Sequence, residues 1–240
     1  MFKAILFDLD GTLLHIPHDV LIKQLFAGYA KLGKDYPPAI MAGYQAMLDD
    51  KSDRTNDRVF FDTFTKLIPS DKKDLEKIFN DFYNSPDFEN IKNFIAAKFE
   101  LAPIFKKLKD KGLKLAIATS PTFPITAIEK RLNWIGLTAD NFDFVTSYDK
   151  MTCCKNNPNF YTQVLKNLGV QPNQALMVGN NVAEDILPAQ SIGCQTILLT
   201  DNLLNPNNID ISNFSAFTAR HFFENLFEIL ALPSPATPEK

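Results

Sequence analysis

The chain has 240 residues, 45% hydrophobic and 22% charged, an ordinary balance for a soluble globular protein with room for one large domain and a smaller one. A formal net charge of −3 offers no general electrostatic case for nucleic acid or an anionic membrane. No run of about 18 apolar residues is present, so no membrane-spanning helix is expected, and Asp8 interrupts the first apolar stretch too early for a secretion signal.

Cys153, Cys154 and Cys194 are an odd set with two adjacent members. They read as reduced thiols of a cytosolic protein rather than a disulfide framework or a metal site.

The first element is a short apolar run, residues 4–7, without polar alternation. A strand buried on both faces of a parallel sheet reads this way. It ends in Asp8 and Asp10. Side chains two apart on a strand point the same way, so the two carboxylates stand together at its carboxyl end, where Gly11 permits a sharp turn. In an open α/β sheet that end is where ligands bind. Close carboxylates repel unless a charge offsets them. A divalent cation such as magnesium, which prefers oxygen ligands, would do so, and one acid could then serve as nucleophile and the other as acid and base. The same residues also suit a plain Asp-Gly turn with solvated carboxylates.

Helical spacing follows. Helices are predicted over residues 20–32, over 39–48 after a break at Pro37-Pro38, over 59–68, over 75–83 behind Pro69-Ser70-Asp71, and from Ser85-Pro86 toward Phe99. Residues 15–96 therefore read as a helical insert without a strand, about the size of a small domain. With 21 Phe against one Trp in the chain, a core or pocket of bulky apolar groups is implied. His15 and His18 read as a surface loop or hinge, or alternatively as substrate contacts made when the lobe closes. Phe60, Phe61 and Phe64 read as packing residues, and Arg54 or Arg58 as groups able to meet a substrate anion.

From Leu101 the pattern alternates between helix and strand. Helices are predicted over 101–111, 125–132, 160–168, 186–192 and 222–230, and strands over 113–118, 142–145, 175–178 and 196–199. The lysine run in the first of these helices reads as a solvated face. Repeated βα units imply a parallel sheet with right-handed crossovers, hence an α/β fold with a doubly wound, Rossmann-like core at 1–14 and 97–232. The Pro-rich tail 233–240 reads as disordered. Strands that end in polar residues deliver them to one sheet edge, so Asp8, Asp10, Thr119, Asn181 and Asp185 should converge, with Lys155 able to join them. Acids, a hydroxyl and a lysine are what phosphoryl transfer needs. Taken singly, Thr119 also suits a helix cap, Lys155 a surface lysine and Asn180-Asn181 a bare turn.

In these motifs the sequence resembles the haloacid dehalogenase superfamily, with an inserted helical cap of the C1 type, over essentially the whole chain. Residues Phe7-Asp8-Leu9-Asp10-Gly11-Thr12-Leu13 match the first family motif and Ala116-Ile117-Ala118-Thr119-Ser120 the second. Cys154-Lys155-Asn156-Asn157-Pro158 is similar to the third, and Val178-Gly179-Asn180-Asn181 with Glu184-Asp185 to the fourth. The resemblance implies a magnesium-dependent phosphatase acting on a small phosphorylated metabolite. Asp8 would attack phosphorus and form an aspartyl-phosphate, and Asp10 would protonate the leaving oxygen and then activate water. Thr119, Ser120 and Lys155 would bind phosphate. Asp8, Asp10 through its backbone carbonyl, Asn181 and Asp185 would bind the metal. The chain departs from the family in the fourth motif, where an aspartate is usual after the glycine. By the i, i+4 relation to Asp185, Asn181 is expected to replace it, with weaker metal binding. A catalytically weak relative that binds a phospholigand or a protein, and a phosphomutase, are the alternative readings. A cytoplasmic monomer is the default expectation.

Overall fold

The computed structural model describes residues 2–96 and 99–231. Six strands form one sheet: β1 (Ala4–Phe7), β2 (Lys114–Ile117), β3 (Phe144–Val145), β4 (Ala175–Gly179), β5 (Gln195–Leu199) and β6 (Ala216–Phe217). The order is β3-β2-β1-β4-β5-β6, and every pairing is parallel. The chain starts in the middle, winds outward through β2 and β3, then returns to the other side of β1. The reversal point therefore lies at β1, where a crevice opens beyond the carboxyl ends of the strands.

The period-two alternation of the strands sorts their side chains onto two faces. Ile5, Phe7, Leu115, Ile117, Leu176 and Val178 join one buried cluster, which includes Phe105, Leu132 and Phe222 from the helices. Ala4, Leu6, Ala116, Ala175 and Met177 join the other, against Phe160, Val164, Leu165 and Leu168. Both faces are thus covered by helices: α6 (Leu101–Asp110), α7 (Ile125–Trp134), α10 (Ala219–Glu224) and α11 (Leu226–Ala231) contribute to the first, and α8 (Asn159–Leu168) and α9 (Leu187–Ser191) to the second. The doubly wound α/β core expected from the sequence is present. Among the described residues no helix is long and apolar enough to cross a membrane. The tail at 233–240 lies outside the described residues.

Between β1 and α6 the chain builds a helical lobe from α1 (His18–Leu32), α2 (Tyr36–Asp49), α3 (Asn56–Leu67), α4 (Lys72–Tyr83) and α5 (Pro86–Glu89). Its interior is aromatic. The Phe79 ring lies 5.5 to 6.4 Å from the rings of Tyr29, Tyr36, Phe60, Phe61 and Phe64. Pro37 and Pro38 sit in the first turn of α2 rather than breaking the chain before it, because that turn lacks intrahelical acceptors for its N–H groups anyway. The stretch after Ser85 is α5 followed by a 3₁₀ turn over Asn90–Phe94, not a helix to Phe99. The chain must return to the core there, and the Ala96 N–H bonds the His15 carbonyl at 2.7 Å. That bond ties together the two crossings between core and lobe. His15 is correspondingly buried, edge-on to Phe99 at 4.9 Å, and not on the surface. Burial pushes its imidazole below the usual range. The closing helix is interrupted at Asn225, whose amide donates to the His221 carbonyl at 2.9 Å, a side-chain bond that competes with the helical ladder. β6, two residues long, is too short to show a periodicity in the sequence.

The lobe is also pinned through α3. The Asn56 N–H donates to the Met151 carbonyl at 2.9 Å and its buried side-chain amide to the Pro121 carbonyl at 3.1 Å. Asn56→Ala leaves that buried carbonyl without its donor and is expected to lower unfolding stability by ~1–3 kcal/mol, read by chemical denaturation.

Candidate active site

β1 delivers Asp8 to the middle of the sheet edge. The Asp8 N–H still bonds the Val178 carbonyl at 2.9 Å, and the Ala118 N–H bonds the Phe7 carbonyl at 2.7 Å, so the ladder holds the start of the acidic loop on both sides. Gly11 then turns at φ +87°. A Cβ there would stand 2.4 Å from the Asn180 amide nitrogen, so the loop closes onto β4 only with glycine.

Two cations answer the acids. The Lys155 ammonium, buried at the start of the segment leading into α8, lies 2.7 Å from Asp8 Oδ1 and also pairs with Asp185. Burial alone would push the lysine down. The Asp185 and Asp8 carboxylates outweigh it and hold the ammonium well above its usual range. Asp10 pairs with Arg131 of α7, a guanidinium only 1% exposed that also lies over the Phe123 ring at 4.4 Å. Burial raises the Asp10 carboxyl and Arg131 opposes the rise. The sequence motifs do not point to Arg131, although a signal for it exists. It falls with Ala127, Ile128 and Leu132 on one helical face, all buried, and a charge on such a face needs a partner.

Asp185 is held by geometry as much as by charge. Residues Val182–Ile186 form a widened turn with the Ile186 N–H reaching the Asn181 carbonyl at 3.3 Å, five residues back, and one extra residue is thereby absorbed. Asp185 Oδ2 folds back to accept the N–H groups of Asn180 (3.0 Å) and Asn181 (2.9 Å). A Cβ at position 179 would lie 2.2 Å from that oxygen, so Gly179 is the space Asp185 fills. Burial raises the Asp185 carboxyl, with Lys155 opposing.

The two asparagines divide their work. Asn181 Oδ1 accepts from the Ala183 N–H (3.1 Å) and Glu184 N–H (3.3 Å), capping its own turn. Asn180 Oδ1 instead faces the acidic loop. The Thr12 hydroxyl stands 3.0 Å from Asp8 Oδ2 and 3.1 Å from Asn180 Oδ1, one proton between two acceptors. The Asn180 amide nitrogen donates to the Asn202 carbonyl at 2.6 Å, and the Asn202 amide to the Gly11 carbonyl at 3.3 Å. The amide oxygen beside Asp8 therefore belongs to Asn180, one residue earlier than the spacing to Asp185 suggests, because the widened turn consumes a residue.

Thr119 and Ser120, just beyond β2, line the same crevice as Asp8, Asp10, Lys155, Asn180, Asn181 and Asp185. The residues expected from the sequence at the sheet edge are thus brought together, whereas His15, Arg54 and Arg58 do not line the crevice. Among the described residues no three His, Cys, Asp or Glu side chains are grouped to hold a metal. The donor set at the crevice is nevertheless all oxygen: the Asp8 carboxylate, the Asn180 amide beside it, and loop carbonyls. It fits magnesium in kind, since that ion commonly takes only one or two carboxylates and completes its shell with water and phosphate, but it is one negative charge short of two carboxylates flanking the ion.

Residues 2–193 match a protein family described as haloacid dehalogenase-like hydrolase. The chain is 26% identical over 205 residues to a glyceraldehyde 3-phosphate phosphatase of Methanothermobacter thermautotrophicus, covering 85% of this chain and 88% of that one. It is 27% identical over 235 residues to a phosphoglycolate phosphatase of Photorhabdus laumondii, covering 97% and 94%. The crystal structure of a phosphatase from Thermococcus onnurineus shares the fold, with a TM-score of 0.58 at 23% identity over 96% of this chain and 98% of that chain.

Removing Arg131 as Arg131→Met leaves the partly buried Asp10 carboxylate without its cation and is expected to cost about 1–3 kcal/mol of stability. The double variant with Asp10→Asn should fall short of the sum of the two single losses by more than ~1 kcal/mol, read by denaturation of all four proteins. Burial also raises the thiols, Cys153 to about 11 and Cys154 and Cys194 to about 12. The thiolate is the reactive form. Iodoacetamide at pH 8 is therefore expected to label none of the three in the native protein and all three after denaturation, read by mass spectrometry.

Proposed function

The chain belongs to the haloacid dehalogenase-like hydrolases, and from that premise we propose that it is a phosphatase that hydrolyses a small phosphomonoester through a covalent intermediate on Asp8. The observation that carries this reading is the Asp8–Lys155 pair at the reversal point of the sheet, with Thr119 and Ser120 beside it and Asp10 two residues on. The relatives named above as phosphatases support it.

In this mechanism Asp8 attacks phosphorus with a carboxylate oxygen. The P–O bond to the leaving alcohol breaks, and Asp10 gives that oxygen its proton. Asp10 then takes a proton from water as the water attacks the acyl phosphate, which releases inorganic phosphate and restores Asp8. Thr119, Ser120 and the Lys155 ammonium hold the phosphoryl oxygens. Arg131 pairs with the Asp10 carboxyl and holds it in place beside the crevice. Magnesium, when bound, would be held by Asp8, the Asp10 carbonyl and the amide of the fourth motif, with Asp185 behind them, and would supply positive charge against the phosphoryl oxygens. The helical lobe acts as a cap that excludes water and selects the substrate.

A second reading is a catalytically weak binding protein. It draws on the two amides, Asn180 and Asn181, that stand where a metal-binding acid is usual.

Hydrolysis of an aryl phosphate with and without magnesium separates the two. Phosphate release is expected to need magnesium and to fall by roughly 10³-fold or more in Asp8→Asn. Asn180→Asp, which adds a carboxylate beside Asp8, is expected to lower the half-saturating magnesium concentration by ~10-fold or more, while Asn181→Asp leaves it in place. No release above the Asp8→Asn background at saturating magnesium would reject the phosphatase and favour the binding protein.

A further inference from the structure

Between lobe and sheet edge lies a cavity of about 720 Å³ whose two ends differ in chemistry. The sheet end carries the acids, hydroxyls and lysine described above. The lobe end is walled by Leu21, Leu25, Phe26, Ile40, Met47 and Phe79. Among the described lining residues, Lys155 is the one Lys or Arg side chain, and its ammonium is already shared between Asp8 and Asp185. The arginines of the lobe that a substrate anion could have met do not line the cavity. Arg54 is paired on the surface with Asp50 at 3.0 Å and Asp62 at 3.1 Å, and Arg58 is exposed elsewhere. The polar tips that the lobe does contribute are those of His18, Tyr29, Tyr44 and Tyr83. Tyr29 and Tyr83 bond each other, hydroxyl to hydroxyl at 2.9 Å, which leaves a single free hydroxyl proton between them. Two further lobe residues on the cavity wall, Ile22 and Met41, remain 38% and 49% exposed, an unusual degree for large apolar side chains.

A carboxylate or second phosphate placed at this end would meet no Lys or Arg among the described lining residues, only the His18 imidazole, and a sugar's hydroxyls would trade water for few partners. An alkyl or aryl group would bury apolar surface on both itself and the wall. A volume of this size suits a ligand much larger than a two-carbon acid. We propose that the lobe end of the cavity receives an apolar substrate body, so that the preferred substrate is the phosphomonoester of a bulky aliphatic or aromatic alcohol carrying one phosphate and no second anion. This deepens the phosphatase reading and rests on it for the reaction, though not for the binding.

The test uses n-alkyl phosphates from ethyl to octyl, beside phosphoglycolate, with magnesium present. Leaving-group basicity is nearly constant along the series, so kcat/KM reports contact with the chain. It is expected to rise by roughly two- to fourfold per added methylene and to place octyl phosphate at least ~10-fold above phosphoglycolate. A flat or falling series, or a preference for phosphoglycolate, would overturn the assignment. If no ester is hydrolysed, the phosphatase reading fails and calorimetric titration with octylphosphonate and methylphosphonate decides the cavity alone. Tighter octylphosphonate binding upholds the apolar subsite; equal or absent binding removes it. Met41→Arg, at an exposed position, should cut the octyl-to-phosphoglycolate ratio by about 10-fold, and an unchanged ratio would place the alkyl body elsewhere and overturn the proposal.

Discussion

Three carboxylates meet at one sheet edge, and two buried cations make that arrangement stable. Asp8, Asp10 and Asp185 lie within a few residues of strand ends that the sheet forces together. Each would be strongly disfavoured as an isolated buried charge, by several kcal/mol even after relaxation. Lys155 joins two of them and Arg131 holds the third. The cations come from different units of the chain, one from the segment before α8 and one from α7. The acidic edge is therefore complete only when β1, β4, α7 and α8 have all docked.

That electrostatic requirement reaches into the backbone. Asp185 comes close enough to Lys155 because the turn after β4 is widened by one residue and because residue 179 has no side chain. The same widening sets the roles of the two asparagines: the first joins Thr12 and Asp8, the second caps the turn. The loop after β5 closes the assembly through Asn202, which bonds both Asn180 and Gly11. The site is a set of short polar bonds held between strand ends, with an apolar layer on each face of the sheet beneath it.

The helical lobe brings the opposite chemistry to the same crevice. Its phenylalanines and tyrosines pack on one another, and the part of that apolar surface left uncovered faces the acids across the cavity. One end is lined by charged and polar groups and the other by apolar ones. The crossings at His15 and Ala96 and the Asn56 anchor hold these two ends in register.

Local sequence already contained much of this. The apolar runs without alternation, the glycines after helices and the acids at strand ends point to a parallel α/β core, a helical insert and a candidate site of Asp8, Asp10, Thr119, Asn181 and Asp185 with Lys155, because strand burial and turn chemistry act over a few residues. What spacing did not reveal depends on contacts between distant segments. Arg131 is an ordinary helix residue until α7 packs over Asp10, 121 positions away. Spacing to Asp185 points to Asn181 as the amide beside Asp8, until a π-type turn absorbs a residue and brings Asn180 there. His15 looks like a loop residue until Phe99 covers it. The apolar character of the cavity follows from which aromatic faces the lobe leaves unpacked, and the absence of Arg54 from its described lining from where that arginine finds its partners. Only the tertiary structure decided these, because desolvation and ion pairing depend on what surrounds a group in space, and most of those surroundings lie far away along the chain.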